Sequence, residues 1–356
     1  MKINEQLVKY EAVLILRLAK GWGDKRITKT LNKLGIKISP NTVGIWIYRN
    51  KAPRSISPLI KSLFYGKAHE LALKLKEENP DWGYKRIRRE IKRKLGIWIP
   101  PTTIYCWIAG KSHPNIVPLN IVPELGYVVG VLLSDCTTKG EILLRVRDRD
   151  FAEEFAKALK EVTRKRYKVR IDEGYFAVRL HGSALRYIVR SGLWRVIAYL
   201  YPREFLQGLF DGDGGVVIGA RNNIFRVRVT LTNSNKEVII LVKHLLEENF
   251  GIRCTLRLHQ RRGERDKILG IEYTLKKDCW ELKIRRKGDV FKFHEKVGFR
   301  IKRRQQKLED GVMILRTYRT NRERIKAWLK KYVKKNGKWI PRPPPLLSIL
   351  TPHELR

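Results

Sequence analysis

Val128-Val-Gly-Val-Leu-Leu-Ser-Asp-Cys136 and Leu206-Gln-Gly-Leu-Phe-Asp-Gly-Asp-Gly214 are two copies of one pattern: an apolar run with a central glycine and an aspartate five residues after it. Gly126, Gly130 and Ser134 recur every four residues, as do Gly208 and Gly212. On a helix this spacing makes one stripe bare of bulky side chains. Such stripes let two helices approach until their backbones touch. If the two stripes pack on each other, Asp135 and Asp213 become neighbours at adjoining helix ends. Helix C-termini carry partial negative charge, so two carboxylates there call for a cation. A hard divalent ion with oxygen ligands suits the place.

Either stretch alone also reads as an ordinary helix C-terminal turn. Asp211-Gly-Asp213-Gly hints at a calcium loop, but Gly215 falls where that loop needs its third oxygen ligand. The repetition decides between these readings. The two stretches resemble the paired motifs of LAGLIDADG homing endonucleases of the single-chain type. The resemblance implies that Asp135 and Asp213 hold Mg²⁺, with Mn²⁺ the other candidate, at the scissile phosphates of double-stranded DNA. It also implies a long specific site, cuts across the minor groove, and coordination completed by the carbonyls of Ser134 and Gly212. The family places a basic residue on a strand of each half near the metal. Aligning Val178-Arg-Leu-His181 with Leu282-Lys-Ile-Arg285 nominates Arg179 and Lys283. The first motif departs from the family pattern: Leu133 replaces its first acid and Cys136 its closing glycine.

The composition agrees with a polyanion partner. Lys plus Arg total 76 against 35 Asp plus Glu, a net charge of +41 over 356 residues, far beyond the needs of solubility. No apolar run reaches the length of a membrane span and no secretory signal opens the chain, so nucleic acid is preferred to a membrane surface. Cys106, Cys136, Cys254 and Cys279 form no CxxC pair, which argues against zinc and a disulfide framework. A reducing prokaryotic cytoplasm is expected. Two methionines with 31% charged residues hint at a heat-adapted source.

Ahead of the motifs lies a repeat. Trp22-Gly-Asp-Lys-Arg-Ile27 returns as Trp82-Gly-Tyr-Lys-Arg-Ile87, Pro40 as Pro101, and Trp46-Ile47 as Trp107-Ile108. Each copy reads as three helices, 5–20, 24–34 and 40–49, then 67–78, 84–95 and 101–109. Proline opens the third helix of each. The pair resembles helix-turn-helix units whose last helix enters the major groove. Trp46 and Trp107 are expected in the core, and Asn41, Thr42, Thr102 and Thr103 at the surface as DNA contacts. Residues 111–124 hold three prolines and read as a semi-rigid linker.

After each motif the chain follows one plan, predicting an α+β fold. It is a duplicated αββαββα pseudo-dimer that forms a DNA-binding saddle, preceded by the all-α region. The strands alternate cations with apolar residues: Arg145 and Arg147; Arg166, Lys168 and Arg170; Arg226 and Arg228; Arg253, Arg257 and Arg261. Period two sends these cations to one sheet face, which would repel itself unless phosphate covered it. The expected boundaries are 1–55 and 56–110 for the helical units, 111–124 for the linker, 125–200 and 201–309 for the two motif repeats, and 310–356 for a basic helix with a proline-rich tail.

The leading expectation is a monomeric, Mg²⁺-dependent, site-specific endonuclease. The alternatives are a non-cleaving transcription regulator on the same scaffold and an RNA-binding intron maturase, with intron RNA as partner. The chain opens at Met1 and closes at Glu-Leu-Arg356 without intein splicing residues, so a free-standing protein is expected.

Overall fold

The computed structural model describes residues 4–49, 51, 53–268, 271–335 and 337–343. The chain divides into two compact units, Met1–Asp213 and Gly214–Arg356.

The first unit opens with α1 (Glu5–Lys20), α2 (Asp24–Lys33), α3 (Pro40–Tyr48), α4 (Pro58–Glu78), α5 (Tyr84–Leu95) and α6 (Pro101–Ile108). Ser39 caps α3 by accepting from Thr42 N at 3.1 Å, and Ser57 caps α4 by accepting from Ile60 N at 3.0 Å. Each serine precedes a proline at the first helical position, where the missing N–H costs nothing. The repeat extends to side chains. Arg26 lies 4.1 Å over the Trp22 ring and Arg86 4.2 Å over Trp82. Tyr10 meets Trp46 edge-on at 5.5 Å, and Tyr65 meets Trp107 at 5.3 Å. Trp46 and Trp107 are buried core, as their positions predict.

Two expectations need correction. The helix placed at 67–78 begins nine residues earlier, at Pro58, behind the Ser-Pro signal. The proline-rich stretch is no free linker. Leu119 N donates to Ser62 O at 3.0 Å, Asn120 N donates to Val162 O at 2.8 Å, and Leu119 is buried. Its last residues, Pro123 and Glu124, begin the next helix. The helical region is therefore fastened to the αβ part that follows it. Buried Glu11 of α1 strengthens the joint by accepting from the Ser57 hydroxyl and, at 2.7 Å, from Tyr187 Oη.

The αβ part of this unit runs α7 (Pro123–Leu132), β1 (Cys136–Thr137), β2 (Ile142–Val146), α8 (Arg149–Thr163), β3 (Arg170–Asp172), β4 (Tyr175–Leu180), α9 (Ser183–Ser191), α10 (Trp194–Leu200) and α11 (Pro202–Asp213). Its antiparallel sheet has the order β1-β2-β4-β3. Ile142, Leu144, Val178 and Leu180 are buried with Phe151, Phe155 and Leu159 of α8.

The second unit repeats the plan. It runs β5 (Gly214–Arg221), β6 (Ile224–Asn233), α12 (Lys236–Phe250), β7 (Thr255–Gln260), a β8 (Arg265–Ile268) and β9 (Ile271–Thr274) hairpin, β10 (Cys279–Ile284) and α13 (Lys287–Lys296). The sheet order is β5-β6-β10-β7, the same sequence of positions as in the first. Strand β9 belongs to the added hairpin and β10 to the sheet. Beyond it come α14 (Lys302–Thr317), α15 (Asn321–Lys331), β11 (Tyr332–Lys335) and β12 (Lys338–Pro341).

This C-terminal part is integral to its unit. Helix α14 runs across the expected 309/310 boundary and buries Leu308, Val312, Ile314 and Leu315. A Cβ at Gly311 would fall 2.9 Å from Val227 Cγ2, so glycine is what lets α14 lie against β6. Trp328 of α15 is wholly buried, stacked on Tyr332 at 3.9 Å and packed on Phe225 and Trp339. Asp310 anchors the turn, accepting from Lys331 Nζ at 2.5 Å and Tyr332 Oη at 2.8 Å. Among the described residues no helix is long and apolar enough to cross a membrane.

Candidate site at the paired motif helices

Helices α7 and α11 pack through their glycines. A Cβ on Gly130 would fall 2.9 Å from Leu209 N and 3.0 Å from Gly208 Cα, and nearer still to Phe205 O. One on Gly208 would fall 3.0 Å from Val131 N and nearer to Tyr127 O. At Gly126 it would meet Tyr201 Cβ at 2.8 Å. Real side chains need ~3.5 Å or more, so backbone lies on backbone, as the stripe requires. The seam ends at Gly212, where a Cβ would meet Ser134 Cβ at 2.6 Å and Asp135 Oδ2 at 3.3 Å. The Asp135 carboxylate therefore reaches the residue before Asp213.

The two ends are built differently. Asp213 is the last residue of α11, whereas α7 stops at Leu132. Turn bonds from Ser134 N and Asp135 N to Val131 O carry the chain on to Asp135. The Ser134 hydroxyl donates back to the carbonyls of Gly130 and Val131, both at 3.2 Å.

Asp211, the first acid of the second motif, is fully buried and accepts from Tyr127 Oη at 2.9 Å. It locks helix to helix. The positions equivalent to Asp211 and Tyr127 in the other copy are Leu133 and Phe205. Acid and hydroxyl are thus absent together there, and the departure at Leu133 is a matched apolar substitution. Cys136 pairs with Leu144 as Gly214 pairs with Leu231. Burial pushes its thiol well above its ordinary range, and the Asp135 charge adds to this.

Strand register supports the alignment of the halves. Thr137, Leu143 and Arg179 form one cross-strand row; Gly215, Thr230 and Lys283 form its counterpart. Each row starts two residues after its aspartate. Arg179 donates to Glu141 at 2.9 Å and to Asp172 at 2.8 Å. Lys283, with only 13% of its side chain exposed, lies 2.6 Å from Glu281. Glu281 is also held by Arg257 at 2.7 Å and faces His259 at 3.7 Å. Burial alone would raise the Glu281 carboxyl, but hydrogen bonds from Lys283 and Arg257 hold it below its ordinary range.

Most of the expected cations lie on the open faces. Arg145 and Arg170 project from the first sheet and Arg147 is exposed just past the end of β2, with Arg145 4.8 Å and Arg147 5.5 Å from the Tyr175 ring centroid. Arg226 and Arg228 of β6 and Arg257 of β7 project from the second. Arg166 and Lys168 are exposed but precede β3, Arg253 precedes β7, and Arg261 follows it. The alternation continues at these four positions without a neighbouring strand to bond. The faces are also less purely cationic than expected. Glu281 sits within one, and Glu141, Asp172 and Glu173 pair with Arg179 and Arg145 at the other. A carboxylate between cations spaces and orients them, and the pairs Arg257–Glu281, Arg179–Glu141 and Arg145–Glu173 join residues far apart in the chain, which hides the role from sequence spacing.

In the helical region Asn41 and Thr102 are exposed, and Thr42 and Thr103 half-buried. The Thr42 hydroxyl is within 2.9 Å of the Ser39 cap.

Two carboxylates at converging helix ends suit a hard cation. No cluster of three His, Cys, Asp or Glu side chains is present among the described residues.

Residues 201–298 match the profile of a LAGLIDADG-like domain. The chain is similar to an uncharacterized protein of Methanocaldococcus jannaschii, MJ0398, with 26% identity over 66% of this chain and 89% of that one. Among solved structures it is similar to the homing endonuclease I-DmoI in complex with DNA and Ca, with 15% identity over 52% of this chain and 97% of that one and a TM-score of 0.38. It is also similar to full-length WhiA from Thermatoga maritima, with 13% identity over 58% and 65% of the two chains and a TM-score of 0.37. That profile covers the second motif helix and the sheet after it, and the first motif helix meets the second glycine to glycine, so the chain carries a LAGLIDADG-like domain over residues 201–298.

Proposed function

We propose that the protein is a site-specific, double-strand DNA endonuclease whose Asp135 and Asp213 hold divalent metal, Mg²⁺ or Mn²⁺, at the scissile phosphates. One observation carries the reading: the bare faces of α7 and α11 meet so closely that Asp135 Oδ2 reaches the residue before Asp213. A binding protein has no need of paired acids at such a seam.

Bound metal would supply an activated water and stabilise charge on phosphorus and the leaving oxygen. The chain's residues do the rest. Tyr127 and Asp211 fix the two helices in register, which sets the spacing of the acids. Lys283, turned to its row by Glu281, and Arg179, turned by Glu141 and Asp172, supply positive charge for the phosphates. Arg179 cannot act as a base at any ordinary pH. The cations of the open sheet faces bind the duplex backbone, and groove-facing side chains such as Thr230 and Thr232 meet base edges. The tandem three-helix units, fastened through Glu11 and Ser57, lengthen the contacted site.

A second reading, a non-cleaving DNA-binding regulator, is favoured by Cys136 in place of the closing glycine. Incubation with Mg²⁺ and a randomised duplex library separates the two. The endonuclease reading expects double-strand cuts at selected sites and none with Asp213→Asn, which still binds. Tight binding of one duplex without cleavage under any divalent ion selects the regulator. Preference for structured intron RNA over every duplex selects a maturase.

A further inference from the structure

The C-terminal hairpin is the part of the second unit that the proposed cleavage reaction leaves unused. Strands β11 and β12 pair Tyr332 with Pro341, Val333 with Ile340, Lys334 with Trp339 and Lys335 with Lys338. The last pair sets two ammonium groups directly opposite each other, an unfavourable arrangement in isolation. No acid occurs between Tyr332 and Arg342 to relieve it. Lys334, Lys335 and Lys338 are exposed, and none has an acidic partner among the described residues.

The hairpin is nevertheless held firmly. Trp339 Nε1 donates to Ile218 O at 3.1 Å, fixing it to edge strand β5, and Tyr332 lies stacked on buried Trp328. A cleft of about 230 Å³ follows, walled by Gly219, Arg221, Arg226, Arg228, Lys334 and Trp339. Arg228 Nε is buried there without a hydrogen-bond partner among the described residues. A buried guanidinium N–H with no acceptor costs free energy until an acceptor arrives. Four cations around one cleft, a like-charge pair beside it and an orphaned guanidinium donor point to an anion with several oxygens.

We propose that the hairpin and the Arg221 end of β5 form a second phosphate-binding surface that grips duplex DNA away from the cleavage centre. Strand β5 begins at Gly214, beside the acids, and reaches Arg221 about 23 Å along at ~3.3 Å per residue. The grip adds affinity without sequence preference, because phosphate contacts position the protein and do not read bases. This inference rests on the duplex-binding reading above.

The test is a salt titration of duplex binding by the full-length protein and by Lys334→Ala/Lys335→Ala/Lys338→Ala, whose side chains are exposed and whose Trp339 anchor is kept. The proposal expects the slope of log K against log salt to be shallower by about 3, at ~0.9 per phosphate contact. The shift is the same for the selected site and for an unrelated duplex. An unchanged slope, with wild-type binding and Asp213-dependent cleavage intact, overturns the hairpin's role alone. Failure of the wild type to bind any duplex overturns both readings.

Discussion

Replacing Gly208 with alanine tests the seam on which the site depends. The new methyl would lie 3.0 Å from Val131 N and 3.1 Å from Gly130 Cα, and closer to Tyr127 O. All three are backbone atoms, so no rotamer change relieves the clash, and the helices must separate by roughly 1 Å to restore contact distances near 3.5–4.0 Å. Overpacking of this kind costs about 1–3 kcal/mol, and backbone on both sides puts Gly208→Ala near the upper end. For a unit of this size 3 kcal/mol lowers Tm by about 6–12 °C. A shift of ~1 Å in a reacting group costs on the order of 100-fold in rate, so cleavage suffers beyond the loss of fold. Gly66→Ala is the control. Gly66 lies within α4 with nothing within 4 Å of a new Cβ, so it gains about 0.5–1 kcal/mol from helix propensity. Calorimetry and cleavage rates on both variants decide the matter. If Gly208→Ala melts and cuts like wild type, α7 and α11 do not meet as described.

Two further outcomes follow from buried polar groups. Tyr127→Phe takes a donor from the buried Asp211 carboxylate and costs about 1–3 kcal/mol in urea unfolding. Adding Asp211→Leu, which copies the Phe205/Leu133 arrangement, recovers most of that loss; a double variant weaker than the single refutes the matched-pair account. Glu11 makes the first unit sensitive to pH. Burial raises its carboxyl from 4.5 to about 7, opposed by hydrogen bonds from Ser57 and Tyr187. The folded state then holds a proton that the unfolded state has released, so the contribution of Glu11 to stability is fully present below pH 4.5 and is lost as pH rises towards 7. The loss amounts to about 3 kcal/mol. Glu11→Gln flattens this dependence between pH 4.5 and 7 in unfolding titrations, and an unaltered profile would assign the effect elsewhere.

What the sequence made legible is what local geometry forces. Gly130 and Gly208 can be read because no other residue permits backbone contact, and the acids follow at a fixed offset. The sheet alternation at Arg226, Arg228 and Thr230 was equally plain, since burial on one face imposes period two. Arg166 and Lys168 show the limit, because alternation persists where the neighbouring strand has ended and pairing is a tertiary fact. The early start of α4 was written in Ser57-Pro58, the same cap-and-proline signal as Ser39-Pro40. The Asn336-Gly337 dipeptide between two short runs likewise signals a hairpin, which the basic composition around it masked. Glu281 could not be read as a partner of Arg257 and His259, because only the register of β10 against β7 brings them together.

In the endonuclease proposed above, one motif acid serves each DNA strand. Strand-resolved cleavage of a selected duplex in Mg²⁺ by Asp135→Asn and by Asp213→Asn measures this directly. The account predicts that both variants bind with wild-type affinity, that neither makes a double-strand break, and that any residual nicking falls on opposite strands for the two. Double-strand cleavage at the wild-type rate by either variant would contradict it.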